Sequence, residues 1–427
     1  MSQPSFGEAF RFWVKLGFIN FGGPAGQIAI MHRELVDHKR WVHEGLFLRA
    51  LNFSMLLPGP EATELAIYVA WRLHSIPGGL VAGAFFVIPS IFVLLLLSWL
   101  SVAYTDVPFI RGLLYGVQPV VMAIVVDAVV RVGRRTLKHR LLYAFAVAAF
   151  LALYLVHLPF PVVIGLAAVL GSLLQRWQPD VFRGAAHGGP SDEAAADVGG
   201  HRSLGHAAKV LGTFLALWLA PLGILLAWRG WADTVTQEMW FFTQAAFVTF
   251  GGAYAVLAYI SDVAVNGYHW LTTAEMVRGL GLAESTPGPL IMVTEYVGFV
   301  AAWNTAPDNV SRLPYATLGG LVTVYATFLP TFLFIFLGAP YVELLSTNRQ
   351  LQTALTGVTA AVVGVIANLA VFFGVHVLFP ESGGFDVFAA VVAALSLVAL
   401  RRSAIQTYYL VPVGALAGMA WVLLSSR

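Results

Sequence analysis

The chain has 427 residues, 59% of them hydrophobic and only 11% charged, with a mean hydropathy of +0.78. A soluble domain carries roughly a quarter charged residues, so the composition excludes one and points to an all-α polytopic membrane protein. Net charge is only +2, which calls for no nucleic-acid partner, and the lack of cysteine removes disulfides, thiolate metal sites and thiol nucleophiles together.

In chain order, the N-terminal "MSQPSFGEAFRFWVKLGF" lacks an apolar run followed by a cleavage site, so no cleaved signal peptide is expected. Next comes "NFGGPAGQIAI" from Asn20, then "LNFSMLLPGPEAT" around Pro58-Gly59-Pro60. Four spans are expected near 78–104, 112–131, 140–157 and 161–176. Their long apolar runs do not alternate with polar residues, which excludes a β-barrel. The stretch 175–206 is rich in Gly, Ala and charge and reads as a linker. Its histidines, His187, His201 and His206, are irregularly spaced and make no metal site.

The pattern then returns. Phe250-Gly251-Gly252 lies 229 residues after Phe21-Gly22-Gly23, and Trp270, Arg278 and Pro287-Gly288-Pro289 follow Trp41, Arg49 and Pro58-Gly59-Pro60 at the same interval. Farther on, "PGGLVAGAFFVIPS" matches "LGGLVTVYATFLPT" at an interval of 241, the extra residues fitting the polar stretch "WNTAPDNVSRLP". Spans near 315–340, 353–374, 384–400 and 407–424 complete the second copy. The expected organisation is a first transmembrane repeat (1–176), a cytoplasmic linker (177–206), an extra helix (207–228) and a second repeat (235–427). The odd helix turns the second copy over, giving inverted repeats with discontinuous helices at the FGG and PGP motifs. The basic run "RVGRRTLKHR" sets the 131–140 end, and Arg401-Arg402 with it, in the cytoplasm. The count is thirteen crossings if the broken segments span and nine if they re-enter.

A broken helix in hydrocarbon survives only where protein or a water-filled cavity satisfies its backbone. The half-helix after Pro60 offers free N–H groups and a positive dipole end, a ready anion site, and Pro287-Gly288-Pro289 repeats it. Phe21, Gly22, Gly23 and Pro24, and Phe250, Gly251 and Gly252, add two more breaks meeting near the midplane. Arg49 and Arg278 form a pseudosymmetric pair whose guanidinium groups suit a tetrahedral oxyanion, the alternative being that they snorkel to the interface. Arg72 and Arg131 are read as snorkelling. Glu61 and Glu284 flank the breaks, Glu61 as a first-turn acid; Glu64 and Glu295 are candidates for proton coupling. Ser54, Thr63, Ser285 and Thr286 offer neutral donors. No HExxH, P-loop or GxSxG occurs, so neither an enzyme, an ATP-driven pump nor a cofactor is expected.

"FGGPAGQIA", "LPGPEATELAIY", "HSIPGGLVAGAFFVIPS", "FGGAYAVLAY" and "GLAESTPGPLIMV" together resemble the signature segments of the chromate ion transporter family, in its long two-domain form. The resemblance implies a multi-pass carrier of the bacterial inner membrane that exports chromate, with sulfate as a competitor and proton antiport often inferred; it leaves room for a homo-oligomer. It places the family's paired motifs on Phe21-Gly22-Gly23 with Pro24, Pro58-Gly59-Pro60 with Glu61, Phe250-Gly251-Gly252 and Pro287-Gly288-Pro289. The sequence departs from that pattern with Glu at 64 and 295, where glutamine is common, and Arg at 278, where an acid is commoner. Competing readings are a carrier of sulfate or another small anion, a passive anion channel on the same breaks, and an intramembrane enzyme using the glutamates.

Overall fold

The computed structural model describes residues 4–175, 181, 204–342, 348–380, 383–402, 405 and 407–425; His187 and His201 lie outside them. Sixteen α-helices and no strand occur among these residues. The first half holds α1 (Phe6–Ile19), α2 (Gly23–His32), α3 (Glu44–Ser54), α4 (Glu61–Ala103), α5 (Pro108–Thr136), α6 (Arg140–Tyr154) and α7 (Phe160–Leu174). After α8 (Leu204–Arg229), the second holds α9 (Thr234–Phe247), α10 (Ala253–Asp262), α11 (Thr273–Ser285), α12 (Val293–Asn304), α13 (Arg312–Gly338), α14 (Arg349–Leu378), α15 (Val387–Arg402) and α16 (Thr407–Ser425). Helices α4, α5, α8, α13, α14 and α16 are long and apolar enough to cross a bilayer. Apolar side chains remain exposed along them, such as Phe92 at 69% and Ile224 at 64%, as a lipid-facing surface requires.

The short helices pair into hairpins. In the first half His74 Nε2 lies 3.0 Å from the Pro4 carbonyl, and Phe12 meets Trp41 edge-on at 5.5 Å. The start of α1, the turn after α2 and the bend in α4 therefore share one end of the molecule. In the second half the hydroxyls of Thr305 and Thr234 are 2.8 Å apart, and Asn304 Nδ2 donates to the Trp270 carbonyl at 3.1 Å. The start of α9, the turn after α10 and the end of α12 thus gather in the same way. The short helices of each half thus double back on themselves as hairpins.

One difference between the halves is covalent economy. α4 bends at His74 and at Ser75 (φ 53°, ψ −152°) and continues as a span, whereas α12 and α13 are separate helices joined by residues 305–311. The inserted polar stretch sits at that joint, as the change of interval predicts.

The halves clasp each other. α6 and α7 pack on α14 of the second half, while α15 and α16 pack on α5 of the first. Both contacts are backbone on backbone at glycine. A Cβ on Gly116 would fall on the Gly414 carbonyl, and one on Gly357 would lie 3.1 Å from Gly171 Cα. Gly116 and Gly357 are equivalent at the 241-residue interval. Small residues let membrane helices approach closely enough for dispersion forces to hold them.

Candidate anion site

The four breaks meet, and they do so across the halves. The Gly59 N–H donates to the Thr249 carbonyl at 2.9 Å, and the Gly288 N–H donates to the Asn20 carbonyl at 2.8 Å. Each PGP motif is therefore pinned to the residue ahead of the other half's FGG. Gln27 Nε2 reinforces one side by donating to the Gly288 carbonyl at 2.6 Å. Gly59 and Gly288 hold positive φ, at 153° and 114°, and neither has room for a side chain. A Cβ on Gly59 would collide with the Glu64 carboxyl; one on Gly288 would lie 2.8 Å from Ser90 Oγ.

Helix capping separates the outer ends of the hairpins from the inner ones. Helices α1, α3, α9 and α11 begin at outer ends, capped by the side chains of Ser5, His43, Asp233 and Thr272. The four helical segments that begin at the breaks, behind Gly22, Pro60, Gly252 and Pro289, have no side-chain cap. Their first N–H groups and positive dipole ends are thus available to a ligand. Pro24 stands in the first turn of α2, where its missing N–H costs nothing.

A basin of about 910 Å³ reaches the first FGG break, lined by Gly22, Gly26, Arg131, Arg134, Arg135 and Arg401 among others. Arg131 pairs with Asp127 at 3.0 Å; Arg134, Arg135 and Arg401 form no ion pair among the described residues. The basin lies at the end that the positive-inside rule sets in the cytoplasm. Two acids stand behind the arginines. Glu61 is within electrostatic reach of Arg135 and borders Gly252, while Glu284 accepts hydrogen bonds from Tyr254 and from the basin residue Thr407.

The structure separates the remaining candidates. Arg278 does not reach the junction. It lines a second cavity of about 300 Å³ with Arg111, Tyr115, Gln118 and the end of α16. Arg49 is not among the residues lining the basin, so the geometry forms no two-arginine cradle. Inversion explains this: equivalent residues meet only at the pseudo-twofold centre, and these two stand on helices that enter from opposite ends. Ser54, Ser285 and Thr286 donate back to Ala50, Leu282 and Ala283 in their own helices, whereas the buried Thr63 hydroxyl has no partner. Phe21 packs against Tyr408 at 5.6 Å. Gly251 and Phe250 hold the second break, where a Cβ on Gly251 would press Val362 at 2.9 Å. Arg131 is ion-paired rather than only snorkelled, and Arg72 has a buried Nε without a partner. Glu64 and Glu295 are fully buried with neither carboxyl oxygen hydrogen-bonded. A third carboxyl in that condition, Glu238 on α9, escaped the sequence reading. Its signal was a lone acid inside "TVTQEMWFF", away from any motif.

The family model of chromate transporters matches residues 7–172 and 236–419. The chain belongs to the chromate transporter family. It is 30% identical over 373 residues to a chromate transport protein of Pseudomonas aeruginosa, covering 85% of this chain and 79% of that one. It is 26% identical to a probable chromate transport protein of Synechococcus elongatus, over 85% of this chain and 83% of the relative. A chromate transport protein of Cupriavidus metallidurans is also 26% identical, over 84% and 80%. No solved structure matches the chain. In this chromate transporter the FGG and PGP motifs form the helix junction beside the basin.

Proposed function

We propose that this protein is a secondary active exporter that takes chromate, a tetrahedral dianion, from the cytoplasm, and that protons moving inward drive it across the bacterial inner membrane. The observation that carries the reading is the arginine-lined basin that reaches the uncapped start of α2 at Gly22, one of the four breaks held together across the halves. Three arginines without carboxylate partners draw a dianion in from solution, a field that salt weakens. At the junction, N–H groups rather than side-chain charge receive it. This suits cargo that must leave again. Glu61 interacts with Arg135 and Glu284 with Thr407, both of the basin wall, so anion and carboxylate charge compete there, and protonation relieves the conflict. The second cavity, with Arg111 and Arg278, is the exit at the other face.

The test is chromate uptake into inverted vesicles, where uptake corresponds to export, with an imposed pH gradient and then with the gradient collapsed. Accumulation that requires the gradient is expected. Equilibration without accumulation would mean a passive path. Transport of sulfate in preference to chromate would change the cargo and leave the architecture in place.

A further inference from the structure

Three fully buried carboxyls, Glu238, Glu295 and Glu64, have no hydrogen-bond partner on either oxygen, and all three lie against one helix, α13. At its outer end Gly319 and Gly320 leave a gap that two of them enter. A Cβ on Gly319 would lie 2.9 Å from Glu238 Oε2, and one on Gly320 would lie 3.4 Å from Glu295 Cγ. Farther along the same helix come Thr323, Thr327 and Thr331, each buried and four residues apart, hence on one face. The Thr323 hydroxyl occupies the place of a Cβ on Gly298 and, like that of Thr327, donates to the carbonyl four residues back, which leaves its oxygen to accept; the Thr327 oxygen lies 3.4 Å from that of Thr294, next to Glu295. Thr331 Oγ1 and the Glu64 carboxyl both border Gly59 at the junction, the hydroxyl 3.5 Å from where its Cβ would stand. Glu64 in turn interacts electrostatically with Glu61 beside the basin.

The fold does not demand this polar line. At the equivalent positions of the first half, Glu238 becomes Ala9, Thr323 becomes Ala82 and Thr327 becomes Phe86. Only Thr331 keeps a hydroxyl at its equivalent, the buried Ser90; the other positions are apolar there. Burying an unpartnered carboxyl is costly, and ionisable groups inside a membrane protein mark ion or proton pathways. The outer end of the line is charged: Asp233 caps α9, Tyr315 on α13 hydrogen-bonds to it, and Arg229 at the end of α8 lies over the Tyr315 ring at 5.1 Å.

We propose that driving protons travel a path of their own along α13, entering at Glu238 and passing by way of Glu295 and the threonine face to Glu64, while the anion uses the basin. Each transfer moves one proton from a carboxylic acid to the next carboxylate, with threonine hydroxyls and single waters spanning the gaps. The groups that interact electrostatically with Glu238 are Asp233 and Tyr315, with Arg229 on the far side of Tyr315. The path ends where Glu64 and Glu61 adjoin the anion junction, which is how the two flows become linked. This inference rests on the proton-coupled reading above.

The experiment compares wild type with Glu238→Gln and Thr327→Val in inverted vesicles, reading chromate-dependent proton flux with a trapped pH dye and, separately, chromate-for-chromate exchange without a gradient. Glu238→Gln should lose gradient-driven accumulation and proton flux by tenfold or more and keep exchange, which also shows that it folds. Thr327→Val should slow proton flux several-fold with exchange intact. A coupled wild type and an equally coupled Glu238→Gln would overturn the path while leaving proton coupling in place. Loss of exchange together with accumulation would make Glu238 part of the transport fold, which also overturns it. A wild type that moves chromate with no proton flux sinks the coupling reading, and the path with it.

Discussion

Gly59 and Gly288 are where backbone strain and packing coincide. Each holds a φ that L side chains rarely adopt, and each faces a neighbour that a Cβ would strike. Conformations of this kind cost on the order of 1–3 kcal/mol for a non-glycine residue, before any clash is counted. Gly59→Ala and Gly288→Ala should both lower the detergent melting temperature and abolish chromate transport. Gly165→Ala, at a site with nothing within 4 Å of the added Cβ, should do neither. The basin arginines act differently, through charge at a distance. Replacing Arg134, Arg135 and Arg401 together with alanine should raise the KM for chromate about tenfold at low salt and leave the melting temperature nearly unchanged. Because solvated charges are screened within about 10 Å at 0.1 M salt, wild type and variant should converge as ionic strength rises. A KM difference that persists in high salt would mean direct contact with the anion.

At the scale of elements, the breaks were legible in the sequence because proline and glycine leave a mark that apolar helices otherwise lack. Their meeting across the halves followed from the repeat. The hairpin folding of α1–α2 and α3–α4 did not, since the loop at 32–44 balances three basic residues with three acids and so carries no orientation signal. Arg49 and Arg278 stand apart for a related reason. Equal spacing shows equivalence, and in an inverted repeat equivalence away from the centre means opposite ends. The halves also differ in how their PGP hairpins dock. α11 packs on α5 and α16, whereas α3 packs mainly on α4. A Cβ on Gly281 of α11 would lie 3.6 Å from Val117 Cβ on α5, within the 3.5–4.5 Å span of a disulfide. In a chain with no native cysteine, Val117→Cys with Gly281→Cys should cross-link on oxidation and stop transport, and reduction should restore it. Full transport in the oxidised protein would show that α11 does not leave α5 during the cycle.

For the molecule as a whole, the mutual clasp has a consequence for how the protein is made. The pair α6–α7 leaves the ribosome with a contact face, including Phe145, Ala146 and Gly171, that is meant for Gly357 and Gly364 of α14. That partner is synthesised nearly two hundred residues later. At roughly 5–20 residues per second, the face waits on the order of ten seconds or more with only lipid or a chaperone against it. The closing pair α15–α16 meets no such delay, since α5 has stood ready since early in synthesis. The first half is thus inserted before it is finished, and only the arrival of the second completes it.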